Sequence, residues 1–241
     1  MKPEIVAGRI PVLECLRAGR RGAHKLHALQ GGEGLGDIIA AAGAKTVPVA
    51  RCGRKELDAL SDGVVHQGVV LEADPLPVLS ADGWIDRDRS PDAIVIILDG
   101  VQDPQNFGSI VRSAAACGAS AVMFAKDRAA PVSTAAVKAA AGAMEYVDLV
   151  QAVNLVRAID ALKDGGFWVT GLDAAAPKLL WETDMKGKTA LVIGSEGKGI
   201  RRLVSEHCDL HVRIPLKGPI SSLNAGVSAA IALAECLRQR A

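Results

Sequence analysis

The second half of the chain alternates short apolar runs with longer segments of helical character. The run Ala93–Leu98 is apolar at every position, as is typical of a strand buried on both faces. Further strands are predicted at 121–125, 146–150, 167–172, 190–193 and 211–215, and helices at 107–117, 133–143, 153–163 and 224–238. Strands and helices that take turns over about 150 residues predict a parallel sheet with helices on both faces. The predicted fold class is therefore α/β.

The first 74 residues repeat this alternation on a smaller scale. Strands are predicted at KLHAL, KTVPVA and GVVLEA, and helices at DIIAAAGA and RKELDAL. Residues 75–92 contain three prolines and four aspartates without either periodicity, which predicts a linker. We therefore expect a small α/β domain at 1–74, a linker at 75–92 and a larger parallel-sheet domain at 93–241.

The charge and the aromatic content limit how this chain could bind nucleic acid. Only 3% of the residues are aromatic, which argues against modules that stack bases on aromatic side chains. The net charge is only +1, but residues 1–30 hold six basic residues against two acidic ones. The basic residues are Lys2, Arg9, Arg17, Arg20, Arg21 and Lys25. They form either a face for a polyanion or the ordinary solvated side of a helix that turns Val12, Leu13 and Leu16 inward.

The cysteines and the hydropathy indicate the compartment. The five cysteines lie far apart and form no C-x-x-C pair, so neither a disulfide framework nor a zinc site is predicted. His207 and His211 have the spacing of a metal-binding pair, but no third ligand is close in sequence. No signal-peptide core or membrane-length apolar run occurs. We expect a cytoplasmic protein that binds neither a membrane nor a metal ion.

Three polar loops follow predicted strands, and ligands of open α/β sheets bind beyond the carboxyl ends of strands. The loop at 98–119 holds Asn106 and Arg112, and Asn106 could cap the next helix and favour an anion there. The loop at 191–203 has three glycines within six residues. The loop at 213–235 places Ser221, Ser222 and Asn224 before an Ala-rich helix. Helix capping alone could account for Asn106, with Arg112 as a surface arginine.

Common nucleotide-binding patterns fail in the glycine-containing loop. The P-loop pattern is absent because Ile200 follows Gly199, and G-x-G-x-x-G fails because Arg202 takes the third glycine position. G-x-S-x-G also fails, since Ser195 directly follows Gly194. A dinucleotide-dependent oxidoreductase is therefore disfavoured. Between residues 186 and 217, seven basic residues face three acidic ones, so positive charge borders two of the three loops.

Taken in order, the three loops resemble the motifs of the SpoU/TrmH family of S-adenosylmethionine-dependent RNA ribose 2′-O-methyltransferases. The matching residues are Asn106-x-Gly108-x-x-x-Arg112, then Ile193-Gly194-Ser195-Glu196-Gly197-x-Gly199, and finally Ile214-Pro215-Leu216 with Ser222-Leu223-Asn224. In the first half, AGRIPVLECLRAG and VVHQGVVLEA resemble the substrate-binding domain of family members that methylate guanosine in 23S rRNA. The resemblance covers most of the chain.

The resemblance implies a trefoil-knotted α/β catalytic domain, preceded by a small α/β RNA-binding domain, in a homodimer. It implies catalytic roles for Asn106, Arg112, Glu196, Ser222 and Asn224, and S-adenosylmethionine contacts for Gly194, Gly199, Ile214, Leu216 and Leu223. Arg9, Arg17, Arg20 and Arg21 are the candidate RNA-binding residues. The implied substrate is a guanosine in 23S rRNA, while another rRNA site, a tRNA or a non-catalytic RNA-binding role stay open. The chain departs from the family at Gly226, where a serine is common, and at Leu216, where methionine is common.

Overall fold

The computed structural model describes residues 3–87, 90–126 and 132–241, and the chain divides into two compact units. The first unit comprises Met1–Pro77 and Ala141–Tyr146, and the second comprises Val78–Ala140 and Val147–Ala241. Lys2, which was predicted as part of the basic segment, lies outside the described residues. No helix in the described part of the chain is both long and apolar enough to span a membrane.

The first unit is a four-stranded sheet with helices on both faces. Its elements are β1 (Glu4–Ala7), α1 (Arg9–Ala18), β2 (Ala23–Leu29), α2 (Gly36–Ala44), β3 (Val49–Cys52), α3 (Arg54–Leu60) and β4 (Val69–Ala73). The strand order is β1-β4-β2-β3, and only β2 and β3 are parallel. Helices α1 and α2 cover one face with Val12, Leu16 and Ile38. Helix α3 covers a smaller apolar cluster on Cys52 and Val70.

The second unit is built on an eight-stranded, wholly parallel sheet. Its strands are β5 (Val78–Ser80), β6 (Ile94–Asp99), β7 (Ala121–Ala125), β8 (Asp148–Ala152), β9 (Trp168–Leu172), β10 (Lys178–Leu179), β11 (Thr189–Gly194) and β12 (Leu210–Arg213). The order is β10-β12-β9-β11-β6-β7-β8-β5. All described pairings in this sheet are parallel, as the alternation of strands and helices predicted.

Helices cover both faces of this sheet, because its strands alternate their side chains between two apolar layers. The helices are α4 (Ala81–Ile85), α5 (Pro104–Ala116), α6 (Thr134–Ala140), α7 (Leu155–Asp164), α8 (Arg202–Glu206) and α9 (Ala225–Arg240). Helices α4, α7 and α8 pack on the face that carries Met123. On the opposite face, Phe107 of α5 packs edge-on against Phe124 of β7, with ring centroids 5.2 Å apart. The central strand β6 is buried along its whole length.

The prediction of a structureless linker at 75–92 is wrong for Val78–Ile85, which forms β5 and α4. Strand β5 pairs with β8, and the Ser80 hydroxyl caps α4 by accepting a hydrogen bond from the Gly83 backbone N–H at 3.3 Å. Trp84 is buried, and its indole N–H donates to Asp148 at 2.9 Å. The sequence gave little sign of these elements because each is only three to five residues long, too short to display a period.

Candidate active site

The glycine-containing loop begins where β11 ends, beside the end of β6. Gly194, the last residue of β11, pairs with Asp99, the last residue of β6. The loop then folds back on itself, with reciprocal backbone hydrogen bonds between Ser195 and Gly199 at 2.9 and 3.1 Å. A Cβ at Gly194 would overlap the backbone of Gly199 and Ile200. Glycine is therefore required at 194, because the returning loop occupies the space of a side chain.

All three predicted loops meet at a cluster formed by Asn106, Glu196 and Asn224. The Glu196 Oε1 atom accepts hydrogen bonds from the side-chain amides of Asn106 at 3.0 Å and Asn224 at 2.7 Å. The Asn224 amide also donates to Asn106 Oδ1 at 2.7 Å. We call these three residues the amide–carboxylate cluster. Their convergence means that the loops, which lie far apart in sequence, form one site.

Two helix N-termini hold the amides of this cluster in place. Helix α5 is capped by Asp103 rather than by Asn106, since the Asp103 carboxylate accepts hydrogen bonds from Gln105 N–H and Asn106 N–H. The proposed capping role of Asn106 is therefore wrong, and its side chain is free to bind Glu196. Asn224 does cap α9, through Oδ1, and uses its Nδ2 for the cluster. Capping and a site role are thus compatible at Asn224.

A cavity of about 470 Å³ opens beside the cluster. It is of the size that holds small ligands and cofactors. Its walls include the five residues predicted to contact the cofactor, Gly194, Gly199, Ile214, Leu216 and Leu223, together with Glu196 and Ser222. The walls also include Asp173, Ser205 and Ser228, which the sequence analysis did not single out. Asp173 follows β9, so its place after a strand was the one signal available.

Arg112 stands apart from these contacts. It lies on α5 with an exposed side chain, and it makes no hydrogen bond or ion pair with any residue in the described ranges. Its guanidinium is therefore available to a ligand. No contact within the chain joins Arg112 to the amide–carboxylate cluster, so its catalytic role stays a prediction.

An ion pair between Asp99 and Arg201 was not foreseen from the sequence. Asp99 is 0% exposed, and its carboxylate accepts hydrogen bonds from the Arg201 backbone N–H at 2.7 Å and from Arg201 Nε at 2.6 Å. This pair ties the end of the glycine-containing loop to the end of β6. The sequence showed Asp99 only as one of several polar residues after a strand, and Arg201 only as one of several basic residues.

Gly226 lets helices α5 and α9 approach closely next to the cluster. It is buried, and a Cβ there would overlap the hydroxyl oxygen of Ser109. The serine that is common in the family at this position would therefore collide with Ser109. The departure noted in the sequence has a steric reason in this chain.

We expect Gly226→Ala to destabilise the protein by about 1–3 kcal/mol, because the added methyl group has no space. In an open helix the same change would be stabilising by about 1 kcal/mol. Ser109→Ala removes the opposing oxygen and should restore most of the loss in the double variant. Urea unfolding of the wild type, both single variants and the double variant measures this coupling. Additive effects of the two changes would contradict the steric explanation.

The basic segment of the first unit is only partly accessible. Arg9, Arg17 and Arg20 are exposed. Arg21 is buried, and it binds Glu145 Oε1 through Nη2 and Glu4 Oε2 through Nη1, each at 2.6 Å. The prediction that Arg21 binds RNA is wrong, because its guanidinium is already enclosed by two carboxylates.

The histidines already have hydrogen-bond partners within the protein. His207 Nδ1 binds Asp160 at 2.6 Å, and His211 Nε2 binds Ser205 at 2.8 Å. Elsewhere in the described residues, potential ligand atoms of His27, Cys52 and Glu56 lie within 4.8 Å of one another. Both ring nitrogens of His27 have partners there, Glu72 at 2.6 Å and the Cys52 sulfur at 3.5 Å. Side-chain hydrogen bonding accounts for this group of residues.

Comparison with known proteins agrees with this site. Residues 93–234 match the SpoU rRNA Methylase family, and residues 5–79 match the family described as RNA 2′-O ribose methyltransferase substrate binding. The 23S rRNA (guanosine-2′-O-)-methyltransferase RlmB of Pseudomonas putida is 40% identical over 86% of this chain and 84% of its own length. An uncharacterized tRNA/rRNA methyltransferase of Mycolicibacterium smegmatis is 40% identical over 98% of this chain and 77% of its own length.

A solved structure extends the similarity to the fold. The SpoU methyltransferase AviRb from Streptomyces viridochromogenes, in complex with the cofactor AdoMet, superposes with a TM-score of 0.79 at 25% identity. The match covers 99% of this chain and 91% of AviRb. Fold and site together define an S-adenosylmethionine-dependent RNA 2′-O-methyltransferase. The chain belongs to the SpoU rRNA methylase family. The predicted class, an α/β-knot catalytic domain preceded by a small α/β domain, is confirmed.

Proposed function

We propose that the protein methylates the ribose 2′-hydroxyl of a guanosine in 23S rRNA. The observation that carries this proposal is the amide–carboxylate cluster at the edge of a cofactor-sized cavity. The names of the Pseudomonas relatives support the choice of RNA and nucleoside. We further propose a cytoplasmic homodimer, and RNA contacts by the exposed Arg9, Arg17 and Arg20 on the first unit.

The cavity fits the cofactor in size and in chemistry. S-adenosylmethionine supplies, when bound, an electrophilic methyl group on a sulfonium. Ile214, Leu216 and Leu223 offer apolar walls, and the loop from Gly194 to Gly199 offers backbone groups. Because Gly194 has no side chain, a ligand can approach the backbone there closely.

The protein groups must align the ribose hydroxyl and help it lose its proton. A guanidinium with a pKa above about 12 is a poor base. We therefore assign Arg112 to the phosphate of the target nucleotide, where its charge also stabilises the developing alkoxide. Glu196, held by Asn106 and Asn224, and the exposed Ser222 orient the ribose.

Arg112→Lys should lower turnover by about 10–100-fold and RNA affinity by less than about threefold, since lysine keeps the charge but lacks the bidentate geometry. Single-turnover methyl transfer and RNA titration measure the two effects. Arg157→Lys is the matched control, because Arg157 is exposed and makes only a 3.8 Å contact with Asp82. Equal losses of turnover and RNA affinity in Arg112→Lys would refute the catalytic role.

The substrate is tested by mapping ribose methylation in RNA from cells that lack the gene. Loss of one 2′-O-methylguanosine in 23S rRNA is the expected result, and loss of a mark in tRNA or elsewhere in rRNA would reassign the target. Calorimetry with S-adenosylmethionine and with NAD should show binding of the first only. RNA binding without any cofactor binding would instead support a non-catalytic homologue.

A further inference from the structure

Asp99 shows an unusual commitment of one carboxylate to one residue. The side chain is fully buried, and a buried carboxylate is costly unless it is paired and hydrogen-bonded. Arg201 alone provides both of its recorded contacts, the backbone N–H to Oδ2 and Nε to Oδ1. Asp99 therefore fixes the main chain and the side chain of Arg201 at the same time.

The contact leaves the outer edge of the Arg201 guanidinium open. Asp99 binds Nε, and neither terminal nitrogen, Nη1 or Nη2, has an acceptor in the described part of the chain. The Arg201 side chain is 46% exposed although its inner end meets a buried carboxylate. Two terminal amino groups form the fork that binds a phosphate in two places. Because Asp99 already holds this fork in position, less side-chain entropy is lost when a ligand binds.

The position of this fork relates it to the active site. Arg201 directly follows Ile200, which lines the cofactor cavity, and it belongs to the same loop as Glu196. Lys198, on this loop, also lines the cavity and has no acceptor among the described residues. By contrast, Arg202 is 82% exposed and pairs with Glu206 one helical turn away, as many surface arginines do.

We propose that Arg201, oriented by Asp99, is a phosphate-binding subsite for the RNA backbone at the edge of the active site, with Lys198 adding positive charge. The inference rests on the proposed function. S-adenosylmethionine carries no phosphate, so the phosphate that this fork binds belongs to the RNA. The subsite is separate from Arg112, which lies on a different helix.

Arg201→Gln, Arg201→Lys and the matched neighbour Arg202→Gln test this subsite in the full-length protein. Lysine at 201 can still neutralise Asp99 but has no second donor group for a phosphate, so it also serves if Arg201→Gln folds poorly. The readouts are S-adenosylmethionine affinity by calorimetry, and the affinity for in vitro transcribed 23S rRNA at several salt concentrations.

We expect both Arg201 variants to bind the RNA about tenfold more weakly, with a salt dependence reduced by about 0.7–0.9 per contact, and Arg202→Gln to change RNA affinity less than about twofold. S-adenosylmethionine affinity should stay within about twofold of wild type in Arg201→Lys, because the ion pair survives. A parallel loss of cofactor and RNA affinity in that variant would show that Arg201 only anchors the loop, and equal RNA losses in Arg201→Gln and Arg202→Gln would show diffuse attraction. Either result overturns the subsite while leaving the proposed function intact, whereas a wild type that binds no cofactor and methylates no RNA overturns both.

Discussion

Gly194→Ala is expected to weaken S-adenosylmethionine binding by about 100-fold, or ~2.7 kcal/mol. The methyl group would occupy the space of the Gly199 and Ile200 backbone, so the loop that lines the cavity would have to move. The two backbone hydrogen bonds between Ser195 and Gly199 that close the loop would be strained or lost with it. Calorimetric titration with the cofactor measures the effect.

Gly187→Ala is the matched control for this change. Gly187 precedes the same strand, and a Cβ there would meet no atom within 4 Å. We expect its cofactor affinity to equal that of the wild type. Circular dichroism of Gly194→Ala should show retained secondary structure, because the overlap is confined to one loop. Near-normal cofactor binding in a folded Gly194→Ala protein would mean that the loop is not the cofactor site.

Glu196→Ala should lower the single-turnover rate of methyl transfer by about 100-fold. The alanine leaves the amides of Asn106 and Asn224 without the oxygen atom that joins them, so both can rotate away from the ribose. Glu196→Gln should cost only about tenfold, because its carbonyl oxygen can accept the same two hydrogen bonds without the charge. The difference between the two variants separates positioning from charge.

Glu206→Ala controls for the loss of a surface carboxylate, since Glu206 pairs only with Arg202 on the exposed side of α8. Its rate should match the wild type. If Glu196→Ala and Glu196→Gln were equally slow, charge rather than the position of the amides would be the important property. If neither were slow, the amide–carboxylate cluster would not take part in the reaction.

The parallel sheet and the meeting of the three loops were predictable because both follow from local patterns. The apolar run at 93–98 has the composition of a doubly covered strand, and parallel strands bring the loops at their carboxyl ends together. That placement predicted Asn106, Glu196 and Asn224 as one group, and their hydrogen bonds confirm the proximity.

Other features depend on contacts between distant residues and carry no local signal. Arg21 and Arg20 are adjacent in sequence, yet Arg21 is buried because Glu145, 124 residues later, lies against it. The ion pair of Asp99 with Arg201 likewise joins residues 102 positions apart. The capping of α5 by Asp103 was a local signal that was missed, because Asp-Pro before a helix is as good a start as Asn. The trefoil knot came from the resemblance to the family and not from any periodicity.

The strand order of the second unit has a consequence for synthesis of the protein. Strand β11 lies between β6 and β9, although the ribosome makes it after both of them. Until β11 is inserted, the facing edges of β6 and β9 have unpaired backbone groups, and such edges invite aggregation. The hydrogen bond between Asn106 and Asn224 closes a span of 118 residues, which makes the site one of the last features to form. This enzyme therefore acquires its activity late in folding, and its time of greatest exposure to misfolding comes before it can bind its cofactor.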